Sequence, residues 1–240
     1  MLGPRPGARV LSAVEHELRH VLRLDEDLSG FYARAVRDRR LAWVATGAGR
    51  MLRSQTAFEE VVKTVCTTNC AWSATERMVG AIVEHLGEPA PGALPNGPFG
   101  RAFPAPAVMA EAGEDFYRGV AKAGYRGAYL ISLARSAASG ELDLEALGRP
   151  GELPDEEVRT RLLALPGVGP YAASHVMMML GRYRPLILDS WTRPTYAKLT
   201  GRPATDAQIE RRFRRFGPWA GLAFWLTLTR SWVPDEPLPV

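Results

Sequence analysis

The sequence predicts an all-α fold, and three observations carry that prediction. Apolar residues recur at helical spacing through most of the 240 residues. Alternation at the period of a strand is almost absent. Glycine and proline cluster between the periodic segments, where turns belong. A hydrophobic fraction of 46% against 23% charged residues allows a sizeable core and argues against disorder. The length suits one full domain or two small ones sharing a cleft. No apolar run approaches the ~18 residues of a membrane span, and the N-terminus lacks the apolar stretch of a signal peptide. A soluble, cytoplasmic protein is therefore expected.

The elements follow in order. VLSAVEHELRHVLRL places Val10, Val14, Leu18, Val21 and Leu22 on one helical face. LDEDLSGFYARAV follows, with acids at its start, where a helix dipole favours them. Arg34 to Arg53 is basic, with six arginines (34, 37, 39, 40, 50, 53) against Asp38. Thr56 to Leu86 reads as two helices broken near Asn69 to Ser73, with Ser73 and Glu76 spaced as a capping box. Residues 87–106 are rich in Pro and Gly and read as an irregular loop. Helical patterns resume at EDFYRGVAKAG and AYLISLARSAASG. An acidic linker then leads to Val158 to Ala164, a further helix.

Net charge is +4, and only Lys63, Lys122 and Lys198 among the 30 basic residues are lysines. Arginine suits phosphate recognition, although a GC-rich genome also favours arginine codons. Two cysteines, Cys66 and Cys70, exclude a disulfide scaffold and a single-chain four-cysteine iron–sulfur cluster. At i, i+4 they read as small buried hydrophobes on one helix face.

The stretch after the linker is the informative one. Pro166 stops a helix, Leu165-Pro166-Gly167-Val168-Gly169 makes a tight turn, and Pro170 suits the first position of the next helix. Two glycines let backbone approach a ligand and expose N–H groups at a helix N-terminus, a natural phosphate site. Such a contact fixes register on a nucleic acid backbone without reading bases; a hairpin that merely packs would look the same. Asp189 ends the apolar run Pro185 to Leu188 and opens a helix at Ser190. It reads as an ordinary N-cap, or as an anion stabilising positive charge on a sugar while a base departs, the logic of glycoside hydrolysis.

These residues carry a resemblance. LPGVG, an Ala-rich helix and LILD resemble the helix-hairpin-helix DNA glycosylase superfamily, in particular the 8-oxoguanine glycosylases and 3-methyladenine glycosylase II. The blocks GRMLRSQTAFEEVVKTVCTTNCAWSATERMVGAIVEHLG, AFPAPAVMA, GYRGAYL and FGPWAGLAFW extend the likeness from about Leu18 to Trp225. Only about 17 residues precede it, so the N-terminal β-domain of those families is nearly missing. The resemblance implies two helical lobes around a DNA-binding cleft: residues 56–185 with the hairpin, and 1–55 plus 186–240. It implies Asp189 as the catalytic carboxylate. Gly167, Val168 and Gly169 become the phosphate-binding hairpin, whose carbonyls hold a monovalent cation (Na+ or K+). Asn69 becomes the filler of the gap left by an extruded base. No organic cofactor and no catalytic metal are implied. The partner is double-stranded DNA with a damaged base, no membrane is involved, and a monomer is expected.

Departures from the pattern refine this. Bifunctional members carry a lysine two residues after the last hairpin glycine; here it is Tyr171, so a monofunctional hydrolase is expected. The glutamine that reads 8-oxoguanine falls at Phe224. With Tyr171, His175 and Trp191, Phe224 is expected to line a π-rich base pocket, which suits alkylated purines first and oxidised guanine second. His175 as a buried, hydrogen-bonded histidine is the competing reading, and a non-catalytic helix-hairpin-helix binding module the competing function.

Two other signals compete. His16-Glu17-Leu18-Arg19-His20 is a literal HExxH, but Arg23 and Glu26 stand where the extended zinc motif needs Gly and His. Arg211 to Phe216 interleaves cations and rings, read as Phe213 and Phe216 packed inward with arginines solvated. Trp219, Trp225, Trp232 and Met177 to Met179 are expected in the core.

Overall fold

The computed structural model describes residues 7–94, 96–149 and 151–233. About 61% of the described residues are helical, and among them the only extended pairing is an isolated bridge between Pro89 and Arg101 in the Pro/Gly-rich loop. The ends of the expected second lobe, 1–6 and 234–240, lie outside the described residues. No described helix is long and apolar enough to cross a membrane. Two compact units divide the chain, Thr56–Val176 and the remainder on either side of it. The division falls inside a helix, earlier than the expected boundary near residue 185, because helical periodicity continues through it without a seam.

The central unit holds α3 (Ala57–Thr67), α4 (Trp72–Leu86), α5 (Pro106–Glu111), the short α6 (Gly113–Asp115), a π-helical turn at Phe116–Val120, α7 (Arg126–Ala138), α8 (Glu145–Gly148), α9 (Asp155–Leu163) and most of α10 (Pro170–Met179). α3 is its buried axis: Ala57, Val61, Val62 and Val65 are fully covered, and α4, α7 and α8 pack on it. Its N-terminus is capped twice. Thr56 Oγ1 accepts from the Glu59 N–H at 3.1 Å, and the Glu145 carboxylate accepts from the Ala57 and Phe58 N–H groups, where an anion opposes the positive end of the helix dipole.

The other unit holds α1 (Ala8–Leu22), α2 (Ser29–Ala35), a 3₁₀ turn at Ala42–Thr46, α11 (Thr192–Thr200), α12 (Asp206–Phe213) and α13 (Ala220–Leu228). Its two chain segments are tied by Arg23, a buried residue at the left-handed C-cap of α1. The Arg23 guanidinium donates to the Met51 carbonyl at 2.7 Å and to the Met179 carbonyl, and it lies where a side chain at Gly181 would stand. α12 opens on a complete capping box between Thr205 and Gln208.

Several expectations are corrected. α4 starts at Trp72, so Ser73 lies inside the helix and makes no box; Glu76 instead accepts from the Trp72 indole N–H at 2.9 Å. α11 starts at Thr192 rather than Ser190. Cys70 lies beyond the end of α3, with its Sγ 3.2 Å from the Cys66 carbonyl, so the cysteines do not share a helix. Cys66 is buried, and burial pushes its thiol pKa up to about 12, which leaves it inert. Trp232 is 63% exposed and Trp225 only half-buried, because the chain ends α13 in a short 3₁₀ turn at the surface. Phe213 and Phe216 do pack inward, and the intervening arginines are exposed. The apolar face of α1 is open, with Val10, Val14 and Leu18 about half exposed.

Candidate functional site

In the central unit, the glycine hairpin joins α9 to α10. Asp155, Glu156 and Glu157 occupy the first turn of α9, and the Val168 N–H closes the turn on the Leu165 carbonyl at 3.2 Å. Gly167 has φ +78°, and a Cβ there would sit 2.7 Å from Tyr129 Cδ2 and 3.3 Å from Val65 Cγ1. The turn therefore lies flat on the Tyr129 ring, which no residue with a side chain permits. Val168 is the buried anchor of the tip. Gly169 and Pro170 are exposed, and a Cβ on Gly169 meets nothing within 4 Å. The first amides of α10 have no intrahelical acceptor, and the exposed residues Gly169 and Pro170 leave the start of the helix open, as an anion site requires. Of the hairpin carbonyls expected to hold a monovalent cation, those of Leu165 and Gly169 already accept backbone N–H groups. Each keeps a second lone pair, and neutral oxygens fit a hard cation.

The α3–α4 loop lies beside the hairpin. Asn69 is exposed at left-handed φ of 48°. Its Nδ2 donates to the Tyr125 hydroxyl at 3.3 Å, and the Tyr125 and Tyr129 rings meet edge-on at 5.9 Å. Tyr171 Oη is 3.3 Å from Thr67 Oγ1 at the end of α3. The loop is fixed from below by buried Arg126, whose guanidinium donates to the Thr68 carbonyl and lies 4.6 Å over the Tyr125 ring. Asn69 and the hairpin thus share one tyrosine-braced surface. Sequence reasoning missed Tyr125, Arg126 and Tyr129; the signal was GYRGAYL, where two tyrosines at i, i+4 bracket an arginine. His175 is half-buried and one helical turn from Tyr171, ring centroids 5.9 Å apart.

Asp189 belongs to the other unit. Its Oδ1 accepts from the Trp191 N–H at 2.8 Å and the Thr192 N–H at 2.6 Å, and its own N–H donates to Thr192 Oγ1 at 2.8 Å. Thr192 is fully buried; it locks the carboxylate at the α11 N-terminus, where the dipole favours charge. Trp191 is the N-cap residue of α11 and makes no side-chain cap bond of its own, so Asp189 supplies the capping contact from two residues upstream. That contact occupies one oxygen. Oδ2 makes no hydrogen bond among the described residues, and Asp189 is half-buried. Beside it, Trp191 (39% exposed) meets Trp225 at 5.7 Å and Trp232 at 5.5 Å. This indole trio was not foreseen from the sequence, because its members are distant in the chain. Phe224 is corrected: it is fully buried against Tyr196 and Phe213 and presents no face to a ligand. Of the four expected pocket residues, Tyr171 and His175 lie together on α10, Trp191 sits beside Asp189, and Phe224 is core.

The HExxH residues lie on α1, with His16 exposed. No group of three or more His, Cys, Asp or Glu among the described residues is placed to hold a metal ion. Burial, and then Arg53, hold the His20 imidazole below its ordinary pKa. The unfolded chain then binds the extra proton first as pH falls. Stability is expected to be full above about pH 6.5 and to decline as pH drops below it, read as a falling urea midpoint between pH 7.5 and 5. A His20→Gln variant should flatten that decline.

No protein-family model matches the chain, and no curated protein matches it in sequence. Solved structures do. An 8-oxoguanine glycosylase/lyase from Clostridium acetobutylicum, in complex with DNA containing cytosine opposite 8-oxoguanine, superposes with a TM-score of 0.75 at 24% identity, over 92% of this chain and 76% of that one. A 3-methyladenine DNA glycosylase from Archaeoglobus fulgidus gives 0.71 at 22%, over 95% and 77%. The 3-methyladenine DNA glycosylase Mag1 from Schizosaccharomyces pombe, in complex with abasic DNA, gives 0.63 at 18%, over 88% and 100%. This chain has the fold of the DNA glycosylases. Within that fold, the hairpin and Asp189 are the features that the sequence singled out first.

Proposed function

We propose that this chain is a DNA glycosylase that hydrolyses the N-glycosidic bond of a damaged base flipped out of duplex DNA. The observation that carries the reading is Asp189. One oxygen is pinned at a helix N-terminus, the other is unengaged, and a partly exposed tryptophan cluster stands beside it, all in a glycosylase fold. Breaking a glycosidic bond builds positive charge on the sugar. A fixed carboxylate stabilises that charge without reorganising and can orient the attacking water. The hairpin amides hold a backbone phosphate, Asn69 fills the vacated stack, and the product is an abasic site. Alkylated purines are the first substrate class and oxidised guanine the second, because indole faces favour electron-poor, cationic rings.

Hydrolysis rather than lyase chemistry follows from Tyr171, which stands where a Schiff-base lysine is required. Borohydride reduction during turnover on a lesion duplex is expected to trap no covalent protein–DNA adduct; an abundant adduct would overturn this assignment. The direct test of the whole reading is a panel of duplexes, each with one defined lesion, scored for alkali-revealed abasic sites. Release from an alkylated-purine duplex supports it, and release from none refutes it. The N-cap engagement of Asp189 Oδ1 favours a second reading, a binding module without turnover. In that case wild type and Asp189→Asn bind DNA alike and neither releases base.

A further inference from the structure

Two basic segments from opposite ends of the chain meet in the Asp189-containing unit, at a cleft used by neither the hairpin nor Asp189. Its walls include Gly30, Arg34, Arg37 and Asp38 from α2 and the turn after it, with Arg215 and Trp219 from the 3₁₀ stretch before α13. It is a cleft open to solvent with a volume of about 620 Å³, within the ~300–1,000 Å³ of small-molecule sites. Gly217, at φ 60° and ψ −123°, breaks the 3₁₀ stretch ahead of Trp219. The Trp219 indole lies directly on Gly30, where a Cβ would be 2.7 Å from its ring edge.

The charges in this cleft do not cancel. Arg215 is paired with Asp38, whose other oxygen also accepts from the Arg40 N–H at 2.9 Å, so that carboxylate is spent. Arg34 and Arg37 are exposed and form no ion pair with any described carboxylate. Arg34 is nevertheless held in place: it donates to the Arg215 carbonyl at 3.2 Å, and its Cζ lies 5.4 Å from the Trp219 ring centroid. Two guanidiniums without an ion-pair partner among the described residues provide forked donors for phosphate oxygens, and the part of Trp219 that lines the cleft outside the Arg34 contact provides an apolar wall for a planar ring. A lone phosphate would leave most of the volume empty.

We propose that this cleft binds a nucleotide, with its phosphate on Arg34 and Arg37 and its base against Trp219. The ligand is either a free mononucleotide or an unpaired nucleotide of a strand; the recognised chemistry is the same. None of these residues enters the proposed excision chemistry, so the two readings fail independently.

The test titrates the full chain by calorimetry with dAMP, a 5′-phosphorylated thymidine tetranucleotide, adenosine and an undamaged duplex. Binding of dAMP or of the tetranucleotide supports the proposal, and which of them binds identifies the source. Adenosine should bind at least about tenfold more weakly, and Arg37→Glu should weaken the phosphorylated ligand by about tenfold or more, as loss of a charge-assisted contact predicts. Arg37 is exposed, so the variant should melt as wild type does, which separates loss of the contact from loss of the fold. Failure of both phosphorylated ligands to bind, adenosine binding equally well, indifference to Arg37→Glu, or binding of intact duplex alone each overturns the proposal.

Discussion

Replacing Asp189 by asparagine is expected to leave the protein folded and to abolish base release. The two properties separate because the carboxylate has two oxygens with different work. Oδ1 caps α11 through the Trp191 and Thr192 N–H groups, and an asparagine oxygen does this as well as a carboxylate. Unfolding free energy should change by less than about 0.5 kcal/mol. Charge, however, is lost, and with it the stabilisation of a cationic sugar. Removing one preorganised electrostatic group costs roughly 10²–10³-fold in rate, which sets the minimum loss expected in single-turnover assays on a lesion duplex. Asp189→Ala should lose activity equally and destabilise by about 1 kcal/mol, since the cap goes too. An asparagine variant that keeps more than a tenth of the wild-type rate would remove Asp189 from the chemistry.

Gly167→Ala and Gly169→Ala should differ sharply although the glycines are two residues apart. Gly167 has φ +78° and the Tyr129 ring 2.7 Å from where a Cβ would stand. The left-handed backbone alone costs about 1–2 kcal/mol for an L-residue, and displacing an aromatic ring from under the turn adds to that. The same shift moves the N–H groups at the start of α10, so DNA affinity should fall along with stability. Gly169 has no neighbour within 4 Å of its Cβ position and no left-handed φ. Alanine there should fold normally, with an unfolding midpoint close to wild type, and reduce only the affinity for undamaged duplex by crowding the phosphate. Chemical denaturation together with anisotropy titrations of duplex at two salt concentrations reads both effects. Phosphate-led binding must weaken as salt rises. Equal stability loss for the two variants would contradict the geometry of the turn.

Much of the fold was legible because helices are local. The breaks at Asn69, Pro166 and Gly169 announce themselves through turn chemistry, and α9 and α10 lie where Pro166, Gly167 and Pro170 put them. The failures share a cause. Ser73 looked like a cap because its spacing to Glu76 is right, but the helix had already begun at Trp72. Phe224 looked like a pocket residue by alignment of a short block, but burial against Tyr196 and Phe213 depends on where α11 and α12 pack. Trp232 looked like core because tryptophans usually are, yet it stands at the surface with Trp191.

The sequence by itself determined an all-helical chain, a glycine hairpin able to face a phosphate, a single well-placed acid at position 189 and the want of a lysine beside the hairpin. These are matters of residue type and short spacing, set by backbone sterics and side-chain chemistry. The tertiary structure alone decided that Tyr129 lies under Gly167, that Arg126 holds the loop bearing Asn69, that one Asp189 oxygen stays unengaged, and that two arginine-rich segments face each other across Trp219. Such arrangements join residues far apart in the chain. They arise when apolar faces choose partners to leave water, and one-dimensional periodicity says which face is buried without saying against what.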